Sequence, residues 1–130
     1  GAIVTVSEGK DTLVRFYHHS DGYPSWLGVK LGKFIMSGKF VDGLSGDKTL
    51  QFNGAGYFAA ALVAHLKTGP GGVYLISTKG KADMGQEYEY TINVAESDDV
   101  TIACKGAQST GPLAPAAFLE WAKTVEKVNV

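Results

Sequence analysis

The chain has 130 residues, 45% apolar, 11% aromatic and 19% charged, with 17 glycines and a net charge of −1 from 12 basic and 13 acidic side chains. That is the length of one domain, residues 1–130, too apolar and aromatic for disorder, and the glycines follow no collagen-like Gly-X-Y period. Binding to nucleic acid leaves a basic footprint, but here the lysines are scattered, with Lys79, Lys81 and the more distant Lys67 the densest group, so nucleic acid is not an expected partner.

The first two elements are strands. Ile3–Val6 and Thr12–His18 flank the polar turn Glu8-Gly9-Lys10-Asp11. Both faces of the second strand are largely apolar, which places it centrally. Ser20-Asp21-Gly22-Tyr23-Pro24 is a sharp turn, after which Ser25 is expected to cap a helix running to about Ser37. Leu27, Leu31, Phe34 and Ile35 give that helix an amphipathic stripe. Gly28 and Gly32, four residues apart, invite a close backbone approach.

Gly38 to Asp47 reads as a loop and Thr49 to Phe52 as a short strand. Asn53 is a good N-cap for a second helix, Gly54 to Lys67, apolar nearly all round and so expected to be central. Thr68-Gly69-Pro70-Gly71-Gly72 ends it. Three strands follow: Val73–Thr78, Glu87–Ala95 and Val100–Lys105. In the middle one Tyr88, Tyr90, Ile92 and Val94 alternate with polar residues, the signature of an antiparallel strand with one solvated face. Gly106 to Gly111 reads as a loop. Pro115 then opens a third helix with Phe118, Trp121, Ala122 and Val125 on one face. The order β-β-α-α-β-β-β-α, with strands and helices clustered, predicts an α+β fold: a mostly antiparallel sheet of about five strands with three helices.

Cys104 is the only cysteine, which excludes a disulfide or a cysteine-based metal centre within one chain. Its period-two spacing from Val100 and Ile102 marks a buried thiol. The longest apolar stretch, Tyr57 to Leu66, is far short of the ~20 residues of a membrane span. No signal peptide is legible, Gly1-Ala2 reads as a processed start, and the cytoplasm is the expected compartment. No metal and no cofactor is implied.

Two segments carry candidate chemistry. Gly54-Ala55-Gly56-Tyr57-Phe58-Ala59 matches the dinucleotide pattern G-x-G-x-x-A at a helix start, where amides and the helix dipole favour an anion. The preceding strand is short, the following one ends in Thr78-Lys79 rather than an acid, and there is no room for a doubly wound sheet. Glycines packed against a neighbouring element are the first expectation there, and an anion-binding helix start the second. His18-His19-Ser20-Asp21 is the other concentration of ionisable groups. Adjacent strand residues face opposite ways, so His18 and His19 do not readily share a metal. The plainer reading is a turn in which Asp21 bonds backbone amides while a histidine packs at the sheet edge; the sharper one pairs one of the two histidines with Asp21 for binding or acid–base work. No nucleophile elbow accompanies them. The tyrosines at 74, 88 and 90, with Tyr23 and Trp26, read first as packing and second as a stacking surface.

Tyr17-His18-His19-Ser20-Asp21-Gly22-Tyr23-Pro24, the run Phe52 to Lys67, Gly71-Gly72-Val73-Tyr74-Leu75 and Glu87-Tyr88-Glu89-Tyr90-Thr91 together resemble a family of small uncharacterised proteins from tailed phages, prophages and environmental viral sequences. In that family an H-x-D-G-Y-P turn precedes an F-N-G-x-G-x-x-A-A helix, a G-G-x-Y-L strand and an E-Y-x-Y strand. His19 and Asp21 match the family histidine and aspartate, whereas Ser20 stands where an aromatic is expected. The resemblance spans roughly residues 15 to 95 and implies a viral or mobile-element origin but no particular chemistry. The resulting expectation is a non-enzymatic binding or self-assembly module, a homo-oligomer without membrane contact. The first alternative is a protein that sequesters a small anionic ligand, a nucleotide or phosphate, at the Gly54–Gly56 helix start with Lys79 or Lys81. The second is a hydrolase or lyase using His19 and Asp21. His19, Asp21, Tyr23, Asn53, Gly54 and Gly56 are the candidate ligand-binding residues.

Overall fold

A computed structural model describes residues 1–43, 46 and 49–126. Part of the segment read as a 38–47 loop lies outside the described residues. Strands β1 (Ala2–Glu8) and β2 (Asp11–His18) form a hairpin, its register running from Ala2 opposite His18 to Glu8 opposite Asp11. A π-helical turn, Pro24–Gly28, leads into α1 (Val29–Met36). Then come β3 (Lys39–Val41), β4 (Gln51–Asn53), α2 (Gly54–Leu66), β5 (Val73–Leu75), β6 (Tyr88–Val94), β7 (Val100–Gly106), β8 (Thr110–Leu113) and α3 (Pro115–Thr124). The fold is α+β, with a six-stranded sheet in the order β5-β2-β1-β6-β7-β8 and a small parallel pair, β3-β4. Four of the five pairings in the large sheet are antiparallel; β1 and β6 run parallel.

The alternation predicted for the middle strand holds. Tyr88, Tyr90, Ile92 and Val94 are buried among Val4, Val6, Phe16, Ile102 and Cys104, and the helices supply Leu27, Leu31, Ile35, Phe58, Leu62, Phe118 and Ala122 to the same core. Tyr90 is buried and donates its hydroxyl proton to the Gly22 carbonyl at 2.7 Å, which satisfies the phenol. Burial pushes the Cys104 thiol up to about 11, so it stays protonated and unreactive. On the opposite face of the sheet, Arg15 donates to the carbonyls of Ser77 and Gly80 at 3.1 and 2.9 Å. These bonds hold the β5–β6 connection across β2.

Several expectations need correction. The large sheet has six strands, against the expected five or so, because Thr110–Leu113 pairs with β7 partly within the 106–111 stretch expected to be a loop, and Lys39–Val41 joins β4 in a second sheet. Strands of three or four residues have too few positions for a period to show. β2 lies second from the edge, with β1 and β6 central. Ser25 caps nothing: Tyr23 holds the N-cap position, and its carbonyl accepts from Trp26 and Leu27. α2 is not central. It buries Ala55, Phe58, Ala59 and Leu62 and exposes Gly56, Tyr57, Ala60 and Ala64, because alanine is small enough for either environment and hides the stripe from the sequence.

Gly28 and Gly32 do what their spacing implies. A Cβ at Gly28 would lie 3.4 Å from the Ala122 Cβ, and one at Gly32 would lie 3.2 Å from the Leu119 Cβ, so α3 rests against the bare backbone of this helical run. Gly54 and Gly56 do not. Among the described residues, a Cβ at either would meet nothing within 4 Å, so no packing contact among them accounts for the G-x-G-x-x-A pattern.

Candidate functional site

The side chains that could act on a ligand gather at the C-terminal end of α2. A cleft of about 650 Å³ opens there, within the size range of small-molecule sites. Four segments build it: the His18–Asp21 turn after β2, one face of the π-turn and α1, the end of α2, and residues 68–73 leading into β5. The helical face is legible as a spacing. Trp26, Lys30, Lys33 and Ser37 follow at intervals of four, three and four, which puts them on one side of a helix.

All three histidines of the chain border the cleft, each in a different situation. His18 faces the helix side of the sheet and, with Nδ1 protonated, donates to the Ser20 carbonyl at 3.1 Å. Burial holds its pKa below the usual imidazole value; Lys30 and the Gly1 amino group push the same way, while the Ser20 carbonyl and Asp21 oppose them. His19 turns its ring toward Tyr17, with centroids 6.0 Å apart and Nδ1 3.5 Å from the phenol oxygen, so it sits at the rim. His65 stacks on Phe34 at 4.5 Å and 22° and gives the cleft an aromatic wall. Lys30 places its ammonium 4.7 Å from the centroid of the Trp26 ring, a cation–π contact, and 46% of Trp26 is exposed.

The turn at the rim is held in an uncommon backbone conformation. Ser20 and Asp21 have φ of 66° and 45°, the left-handed region that costs a non-glycine residue on the order of 1 kcal/mol. His18, not Asp21, supplies the side-chain bond that closes this turn. Backbone strain of this kind clusters at binding and catalytic sites, and this turn borders the cleft.

Of the residues singled out from sequence, His19 and Asp21 reach the cleft and the other four do not. Tyr23 anchors the π-turn through its carbonyl and packs against the core. Asn53 occupies the N-cap position of α2 but makes no capping bond there; its Oδ1 accepts the Gly43 amide at 2.7 Å. Gly54 has φ +83°, a conformation glycine adopts without strain. This helix start lies at the opposite end of a 13-residue helix from the cleft, a length of ~20 Å. Nor does it meet Lys79 and Lys81. Arg15 ties their connection to the sheet face opposite the one α2 covers.

The pairing of His19 with Asp21 is also not made; among the described residues the His19 ring has Tyr17 as its partner. The stacking surface is divided, with Tyr88 and Tyr90 buried and Trp26 and Tyr74 exposed. The sequence does not single out Lys30, Lys33 or Phe34 for a site, and the helical spacing from Trp26 is the one signal that points to the lysines. Among the described residues, no group of three His, Cys, Asp or Glu side chains converges on a point that could hold a metal ion, and no helix is long and apolar enough to cross a membrane. No family model, curated protein or solved structure matches this chain.

Proposed function

We propose that the chain is a non-enzymatic binding protein whose cleft holds a small anion of the phosphate class. The observation that carries this reading is the charge of the lining: Lys30 and Lys33 enter from one helix face, and among the described residues Asp21 is the one acid against them. The C-terminus of α2 works the other way, with about half a negative charge on its last carbonyls. Two ammonium groups outweigh one carboxylate and half a dipole charge. The hydroxyls of Ser20 and Thr68 supply neutral donors beside them, while that of Ser37 donates to the Phe34 carbonyl. The origin implied by the motif order is viral, and the setting is the cytoplasm.

Calorimetric titration of the full chain with inorganic phosphate at low salt tests this. Saturable binding is expected, weakening as salt rises, and the Lys30→Ala/Lys33→Ala double variant is expected to lose at least about tenfold in affinity. Absence of phosphate binding in the unaltered protein overturns the reading, as does binding that the double variant leaves intact.

Self-association is the second part of the proposal. β5 is an edge strand, and Leu75 is 68% and Tyr74 50% exposed on it, an edge able to pair with another chain. Light scattering over a hundredfold concentration range is expected to show a dimer or larger species that Leu75→Lys weakens. A monomer throughout removes this part and leaves the cleft untouched.

A further inference from the structure

The cleft offers more than charge. Phe34 and His65 spend their ring faces on each other, but Trp26 does not: among the described residues Lys30 alone sits on its ring. The indole, 46% exposed, therefore stands at the cleft with the Lys30 ammonium over its ring. Lys30 follows Trp26 by four residues and Lys33 by seven, so platform and cations share one helix face. A bare phosphate would use the lysines and leave both the indole and most of the roughly 650 Å³ volume unfilled.

We infer that the ligand is a nucleoside monophosphate or a close analogue, a phosphate joined to a planar aromatic base. This deepens the phosphate reading and rests on it. On binding, Lys30 leaves the Trp26 ring for the phosphate, joining Lys33, and the base takes its place over the indole. The exchange replaces one cation–π contact with a charge-assisted hydrogen bond and a stacked pair. Stacking on an aromatic side chain tolerates any base, so discrimination among bases is expected to be weak, whereas discrimination against a ligand lacking the phosphate is strong.

The test compares adenosine 5′-monophosphate, adenosine and inorganic phosphate by calorimetry, with tryptophan fluorescence read in a Trp121→Phe background. Trp121 packs on Phe118 in α3, away from the cleft, and its replacement leaves Trp26 as the single tryptophan of the chain. The monophosphate is expected to bind about tenfold or more tighter than phosphate and to quench Trp26. Adenosine is expected to bind far more weakly than either. In Trp26→Ala the preference for the monophosphate over phosphate is expected to collapse toward one, and in Trp26→Phe to be largely restored. Equal affinity for monophosphate and phosphate without quenching overturns the inference and leaves the phosphate reading standing. Adenosine binding as tightly as its monophosphate overturns it as well. If neither phosphate nor monophosphate binds, both readings fall.

Discussion

The two ends of α2 differ in how their residues come together. At the start, Asn53, Gly54 and Gly56 are neighbours in the chain and form a pattern with a name. At the end, His65 and Leu66 meet Trp26, Lys30 and Lys33 from one helical run, a turn after β2 and a glycine-rich segment before β5. The contiguous pattern turns out to shape the backbone: Gly54 supplies a left-handed residue, and Asn53 pins the loop at Gly43. The dispersed set forms the cleft. A short motif can be read from sequence because its members are adjacent, but adjacency is also what a turn needs. A binding site needs side chains that point at one another, and those come from wherever the fold delivers them.

Substitutions at the two ends sharpen this contrast. The largest effect is expected at Gly54. Alanine there must adopt φ near +83°, which costs about 1–2 kcal/mol, measurable as a lower denaturant midpoint, while phosphate affinity stays unchanged. A loss of phosphate binding in a folded Gly54→Ala protein would return the anion site to the helix start. At Gly56 the sign reverses. A Cβ there meets open space at an ordinary helical position, so Gly56→Ala is expected to raise stability by about 0.5–1 kcal/mol, seen as a higher midpoint. A loss of stability would show a constraint at this position beyond packing.

The smallest effect lies at the other end of the helix. The folded state holds the His18 pKa below its usual value, first through burial, so the unfolded chain takes up the proton at higher pH than the folded one does. His18 therefore removes stability as pH falls below about 6.5 and has no effect well above that value. The midpoint of the unaltered protein is expected to decline more steeply between pH 7 and 5.5 than that of His18→Gln. Equal slopes, or a steeper one in the variant, would show that His18 is solvated in the folded chain.

What the sequence disclosed and what it hid divide on the same line. The alternation in β6, Pro115 opening α3, the α+β class and the close approach at Gly28 and Gly32 are local patterns, or small residues with one plain use, and each could be read directly. β8 could not, because it pairs with β7 through a register shift between Ile102 and Cys104, and its sequence Thr-Gly-Pro-Leu reads as a loop. The exposed back of α2 was concealed by alanine, which fits both core and surface. His19 and Asp21 stand out in the sequence because they are polar residues in a short turn, and both border the cleft. Lys30 and Lys33 do not stand out, because a lysine on an amphipathic helix looks the same whether it faces solvent or a cleft.

The parallel pairing of β1 with β6 also bears on how the chain acquires its structure. Ala2 lies opposite Tyr88 and Glu8 opposite Val94, so the central seam of the sheet joins the first strand to one made when most of the chain already exists. Until then the β1–β2 hairpin emerges from the ribosome with Val4, Val6 and Phe16 uncovered and one long edge of β1 unsatisfied. Folding must wait for a long loop to close, which makes it slow relative to a helical domain of the same size. A nascent chain stalled before residue 88 leaves that edge and those apolar side chains open to pairing with another chain.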